Sequence, residues 1–434
     1  MRARIVYWIY LLSENFWFLP LLMTLAAIAL SAGTLAMDRD PPATLYRWLP
    51  WSEGLGYSNA RLIMSTVSGS IITAASLVFS LTLVTLSLAA RQLGPRLLSM
   101  FMRDRITQVA LGTFVATFVF ALLVLASLGD PSDRALTPRA SIFVTLLLTL
   151  LSLGLLVALI HHLARSLNAD VVVARLAQDL RAQLTKLLCS GQQAFDSDND
   201  SSPQWGEGQA IHSDVSGYIQ TIDSEALVDL ACAHDTEIAV QRRAGHFVHR
   251  GEPIALVRND VGRSKQIENA VRDAIVLGPK RTDAEDPEFV FQAIVEIALR
   301  ALSPGINDPY TARTCIDWLG EALAQVLAGH MPDHLYRDDD GRVRLHTIPH
   351  TPAGFFDAAL NEIRQSAEGN VPVLIRLAET LAKLAPEART SEHKNIVRRH
   401  AEILGRSCER SIVDTFDRDD MREQIDRIEA ALAA

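Results

Sequence analysis

Apolar residues crowd the first part of the chain, up to about Ala164, and thin out beyond it. Four of the apolar runs, residues 16–37, 62–90, 107–128 and 141–163, are long enough at about 1.5 Å per residue to cross roughly 30 Å of hydrocarbon. The second carries no ionisable group between Arg61 and Arg91. Its polar content is unusual for a span. At about 100° per residue, Ser65, Thr66, Gly69, Thr73, Ser76, Ser80 and Ser87 fall in one arc, interrupted by Leu62 and Leu83. Small residues let membrane helices approach closely, and Ser and Thr can return their hydroxyls to their own backbone. A charge-free hydroxyl face can also line a wet path. The pattern admits both readings.

After the fourth run the periodicity changes. Residues 161–188 continue it as an amphipathic helix, with Leu163, Leu167, Val171, Ala174, Ala177, Leu180 and Leu184 at helical spacing. Residues 191–209 are polar and turn-rich and read as a linker or mobile loop. Residues 215–257 are strand-like around a short helix at 224–233. In that stretch Gly245 and Gly251 sit in a turn pattern similar to that of biotinyl, lipoyl and membrane-fusion barrel-sandwich domains. No lysine hairpin accompanies it, so a small structural β module is expected rather than a swinging cofactor arm. Helices follow at 264–277, 287–302 and 310–328, then a hairpin at 334–348 turning at Asp340-Gly341, then about four more helices. The expected architecture is a four-helix transmembrane bundle (1–165), a connecting helix (166–190), a loop (191–214), a small β module (215–262) and a mostly helical region (263–434). The fold class is thus a membrane protein with a cytoplasmic α+β domain.

Composition fits this division. Of the 434 residues 49% are hydrophobic, and mean hydropathy is +0.15. Net charge is −9, with the acidic excess in the polar part, which argues against nucleic acid as a partner. Arg2, Arg4, Arg91, Arg96, Arg103, Arg105, Arg165 and Arg175 fall on one side of the spans. Arg39, Arg47, Arg134 and Arg139 fall on the other. The positive-inside rule then places both termini in the cytoplasm. The aromatic cluster Tyr7, Trp8, Tyr10 reads as an interfacial segment. Cys189, Cys232, Cys315 and Cys408 form no CxxC pair and read as free thiols in a reducing compartment.

Residues 79–125, FSLTLVTLSLAARQLGPRLLSMFMRDRITQVALGTFVATFVFALLVL, resemble the second and third spans of a bacterial membrane family known as domain of unknown function family 2254. RALSPGINDPYTA, residues 300–312, is similar to that family's most distinctive motif. The resemblance implies a bacterial inner-membrane protein with a cytoplasmic domain, and no particular activity.

Within that motif Ser-Pro-Gly ends one helix, and Asp308-Pro309 starts the next as N-cap and first residue. Asn307 is needed by neither job. Ser303, Asn307, Asp308 and Thr311 therefore crowd polar groups at a helix N-terminus, with Glu296 and Arg300 paired one turn earlier. The alternatives are a structural corner, or a contact for a small polar ligand or a subunit. His330, His334, His346 and His350 flank the hairpin, but Pro332 and Pro349 disturb their spacing, and no metal site is expected. No GxSxG, Walker loop, HExxH or kinase-like set occurs, so neither an enzyme nor a cofactor is expected. The leading functional expectation is a homo-oligomeric channel or transport-type protein, passing ions or a small solute and gated by its cytoplasmic domain. The alternative is a non-transporting scaffold or sensor.

Overall fold

The computed structural model describes residues 16–39, 56–92, 94, 102, 104–128, 138–166, 168–190, 208–258, 265–282 and 285–433. The expected interfacial segment before Phe16, the loop with Pro41 to Trp51, Arg96, Arg103, the turn with Asp130 and Asp133, and most of the linker after Ser190 lie outside them. Two compact units emerge, one ending at Asn168 and one beginning at Ala169.

The first unit holds four helices long and apolar enough to cross a membrane: α1 (Phe18–Arg39), α2 (Tyr57–Gln92), α3 (Arg105–Ser127) and α4 (Arg139–Ser166). α3 is the hub. Of its most apolar window 56% is buried, against 22% in each of the others, and Phe114, Phe120 and Val124 fill the space between helices. Gly112 permits a close approach: a Cβ there would lie 2.6 Å from Met23 Sδ and 3.1 Å from Pro20 Cα of α1. Leu21, Leu77, Leu150 and Val157 point outward, as lipid-facing residues do.

The second unit opens with α5 (Ala169–Ser190). The fourth span and the amphipathic helix were expected to be continuous. They are not: α4 stops at Ser166, and Asn168 N–H turns back to Arg165 O. α5 buries Val172, Val173, Leu176, Leu180 and Leu184 against its own unit. The strands are β1 (Gln209–His212), β2 (Gly217–Ile222), β3 (Ile238–Val240), β4 (Phe247–Val248) and β5 (Pro253–Val257), with α6 (Ser224–Ala233) between β2 and β3. Then come α7 (Lys265–Ala274) and β6 (Ile275–Gly278). The expected helix at 264–277 is therefore too long. The apolar run Ile275-Val276-Leu277 leaves the helix and pairs antiparallel with β2, where β-branched side chains are well placed.

α8 (Pro287–Ala301) and α9 (Pro309–Ala328) follow, then the hairpin β7 (Leu335–Arg337) and β8 (Val343–His346). The hairpin joins the earlier strands: one sheet runs β1-β5-β3-β8-β7 with β3 and β8 parallel, the other β4-β2-β6. α10 (Pro352–Ser366), α11 (Val371–Leu384), α12 (Ser391–Ser411) and α13 (Thr415–Ala433) complete the unit. Ile211, Ile219, Leu227, Ile254, Val271 and Leu345 form the core between sheets and small helices. Gly245 and Gly251 take φ of +86° and +83°, conformations that favour glycine.

Candidate functional site

The arc on α2 is the first place to look. Ala60, Met64, Ser68, Ile71, Ala75, Val78, Thr85 and Ala89 are the described positions of α2 that are buried. They lie at helical spacing on the face opposite the arc. Ser65, Thr66, Gly69, Thr73, Ser76, Ser80 and Ser87 are all exposed, and a Cβ on Gly69 would meet nothing within 4 Å. This face is turned away from its own bundle because the apolar stripe of Met64, Ile71 and Val78 takes the core. Thr73 Oγ1 donates to Gly69 O at 2.9 Å, and Ser76 Oγ to Ile72 O at 2.9 Å. These two hydroxyls remain available as acceptors.

The corner between α8 and α9 gathers the predicted polar residues. Asp308 Oδ1 accepts from Tyr310 and Thr311 N–H at 3.1 and 3.2 Å, and Oδ2 accepts from Thr311 Oγ1 at 2.6 Å. Ser303 Oγ donates to Arg300 O at 2.6 Å. Arg300 Nη2 lies 3.3 Å from Glu296 Oε1. The expectation that Asn307 has no structural job needs correction. Its φ is +48°, its N–H donates to Ser303 O, and Asp308 N–H reaches back to Ala301 O at 2.7 Å. After glycine, asparagine is the residue most at ease in that region. Asn307, Ile306 and Tyr310 are exposed together at the tip.

The profile of a family described as "Predicted membrane protein (DUF2254)" matches residues 13–383. The chain belongs to this family. Uncharacterized proteins of Mycobacterium bovis and Mycobacterium tuberculosis are each 28% identical to it over 401 residues, covering 90% of this chain and 76% of theirs. No solved structure matches. α12 and α13 lie beyond the matched segment, which ends within α11.

Several polar groups of this DUF2254 protein escape sequence reasoning because their partners are far away in the chain. Asp38, at the end of α1, is buried, and its carboxylate accepts from Ala140 N–H, Ser141 N–H and Ser141 Oγ at 2.8, 3.1 and 2.7 Å. It caps α4 from another helix. At the other end of the bundle Asp104, the N-cap of α3, lies 2.8 Å from His162 Nε2 on α4. Midway, the Thr117 and Ser152 hydroxyls meet at 3.2 Å, both fully buried.

In the second unit an ionic cluster joins strands to helices. Arg243, after β3, reaches Glu288 Oε1 of α8 at 2.7 Å and His350 Nδ1 at 3.0 Å. His350 Nδ1 also lies 3.5 Å from Glu288 Oε1. Burial alone would raise the Glu288 carboxyl, but hydrogen bonds from His350 and Arg243 outweigh it and bring its pKa down to about 2. Arg281 binds Asp286, the fully buried N-cap of α8, and Gln292. Beside this cluster lies a shallow cleft of about 150 Å³ lined by Arg242, Arg243, Glu285, His334, Tyr336 and His350 among others. The hairpin histidines go separate ways: His334 beside Asp333, His346 toward Glu237, His350 to Arg243. Among the described residues no three His, Cys, Asp or Glu side chains are gathered as metal ligands.

Proposed function

We infer that the chain is a non-enzymatic, homo-oligomeric protein of the bacterial inner membrane, both termini cytoplasmic. In this reading the α2 arcs of neighbouring copies face one another along a solute path, and the cytoplasmic domain controls its opening. One observation carries the reading: Ser65, Gly69, Thr73, Ser76, Ser80 and Ser87 are turned away from their own bundle, while α2 is anchored through Met64, Ile71, Ala75 and Val78. A face so poor in large apolar groups gains little from lipid, whereas small residues favour close contact with another helix and hydroxyls favour water.

A second reading, a non-transporting scaffold or sensor, draws on the bonds of Thr73 and Ser76 to their own backbone, which suit dry packing between copies. Cysteines at Thr73, Ser76 and Ser80, on a background without the native thiols, separate the two. Modification by water-soluble reagents together with ion flux in liposomes is expected of a path. Protection at all three positions without flux overturns it and selects the scaffold. A monomer by native mass measurement in nanodiscs overturns the shared interface itself.

A further inference from the structure

Among the described residues the bundle holds two carboxylates, Asp38 at one end and Asp104 at the other. Asp104 is committed to the fold. Its Oδ2 accepts from Thr107 N–H and Thr107 Oγ1 and lies 2.8 Å from His162 Nε2. Arg105 follows Asp104 directly, and Arg165 stands three residues after His162. The contact between α3 and α4 therefore gathers two guanidinium groups that are far apart in the sequence. Both arginines are exposed, and among the described residues no carboxylate pairs with either. His161 is exposed one turn before Arg165.

Apolar surface adjoins this basic cluster. Val157 and Ile160 are exposed on the face of α4 that ends in His161 and Arg165, and Ile106 is exposed next to Arg105. An arginine at the edge of the hydrocarbon lays its stem on apolar surface and keeps its head among the headgroups. There it meets phosphate, which a guanidinium can hold through two parallel hydrogen bonds. The attraction is that of side chains rather than of the α3 terminus, which Asp104 already caps. Two permanent positive charges stand against one engaged carboxylate, so the cluster is short of anions. Basic groups held between membrane helices at that depth are fitted to anionic headgroups.

We propose that Arg105, His161 and Arg165 form a binding site for the phosphate of an anionic phospholipid, whose acyl chains lie along Ile106, Val157 and Ile160. The Asp104–His162 contact is the positioning element, since it holds the start of α3 beside the end of α4. The site goes beyond the solute path and does not depend on it. A dry arc on α2 would overturn the path and leave the lipid site standing.

Native mass measurement of the full chain tests it, with phosphatidylglycerol and phosphatidylcholine of identical acyl chains added in detergent. Phosphatidylglycerol should be retained over phosphatidylcholine by roughly tenfold. The preference should vanish when Arg105→Gln and Arg165→Gln are combined, return in part when both are changed to lysine instead, and survive Arg39→Gln at the other end of the bundle. No preference in the wild-type chain, or one that the double glutamine variant keeps, overturns the proposal. Displacement of the lipid by millimolar inorganic phosphate would make this a site for a soluble anion and overturns the lipid assignment. Hydrogen exchange on the unmodified chain is a check that needs no variant to fold. In phosphatidylglycerol nanodiscs residues 105–109 and 161–166 should exchange more slowly than in phosphatidylcholine nanodiscs, while the opposite ends of α3 and α4 should not change. Equal exchange in the two lipids overturns the site.

Discussion

Asn307 shows how one backbone angle changes the meaning of a residue. Read from the sequence, its amide is surplus to a corner that Pro, Gly and an N-cap already make. Its positive φ gives it a structural job, so Asn307→Ala confounds conformation with contact. Asn307→Ala is expected to cost about 1 kcal/mol by forcing a Cβ without a compensating side chain into the left-handed region, while Asn307→Gly should melt close to wild type. Assembly or flux lost in the glycine variant at unchanged Tm would assign the amide a contact of its own; wild-type behaviour would leave the corner purely structural. Asp308→Ala removes a cap with three bonds and should lower stability by roughly 0.5–2 kcal/mol. His400 gives a pH signature. It is buried between α10 and α12, near Phe356, and its Nε2 lies 3.3 Å from Asp357 Oδ1. Desolvation holds its pKa down to about 4 despite Asp357. Below about pH 6.5 the unfolded chain takes up a proton that the fold refuses, so this stability is full above 6.5 and lost as pH falls toward 4, by about 3 kcal/mol at most. Melting of the full chain in detergent between pH 7.5 and 4.5 should show a loss that is smaller in His400→Gln; an identical pH profile in the variant would exclude His400 as its source.

At the scale of elements, the four spans and most helices are legible because long apolar runs and capping residues are local signals. Asp286, Asp308 and Thr351 each cap the helix that follows. What the period cannot tell is which of two faces turns inward when both hold small residues. α2 offers an arc of Ser, Gly and Thr and a stripe of Met64, Ile71, Ala75 and Val78; only the packing of Phe114 and Leu159 against the latter decides. The strand at Ile275–Gly278 was hidden because it depends on β2, a partner distant in sequence. Two glycines separate inner from outer faces. Gly112→Val should destabilise the bundle by about 1–3 kcal/mol, because its side chain meets Met23 and the Pro20 backbone. Gly69→Val meets nothing in its own chain and should leave monomer stability nearly unchanged while weakening assembly. Thermal stability and native mass in the same detergent check both. Equal loss of stability would mean that the arc is packed within the bundle after all.

At the scale of the molecule, the division into an apolar and a polar half was plain from composition, and the bonds that unify each half were not. Asp38, Asp104 and His162 look like ordinary span-flanking charges in the sequence, and Arg243, Glu288 and His350 stand far apart along the chain. Folding brings the last three together where the loop after β3, the start of α8 and the lead into α10 meet. With both partners mostly buried, Arg243 and Glu288 should matter less as a net source of stability than as a matched pair. Glu288→Ala strands a mostly buried guanidinium beside His350 and should cost about 3 kcal/mol, whereas Arg243→Met with Glu288→Leu replaces charge by packing and should cost less than either single change. A double-mutant cycle on the melting of the full chain measures this coupling. Additive losses would mean that the two residues stabilise the strands and helices separately; strong coupling would make the cluster the joint through which strands and helices unfold together. Because Glu288 is held near a pKa of about 2, the coupling should be complete above its unfolded pKa of about 4.3 and fade as pH falls from there toward 2. A coupling that persists unchanged at the acid end would show that the pair acts through shape rather than charge.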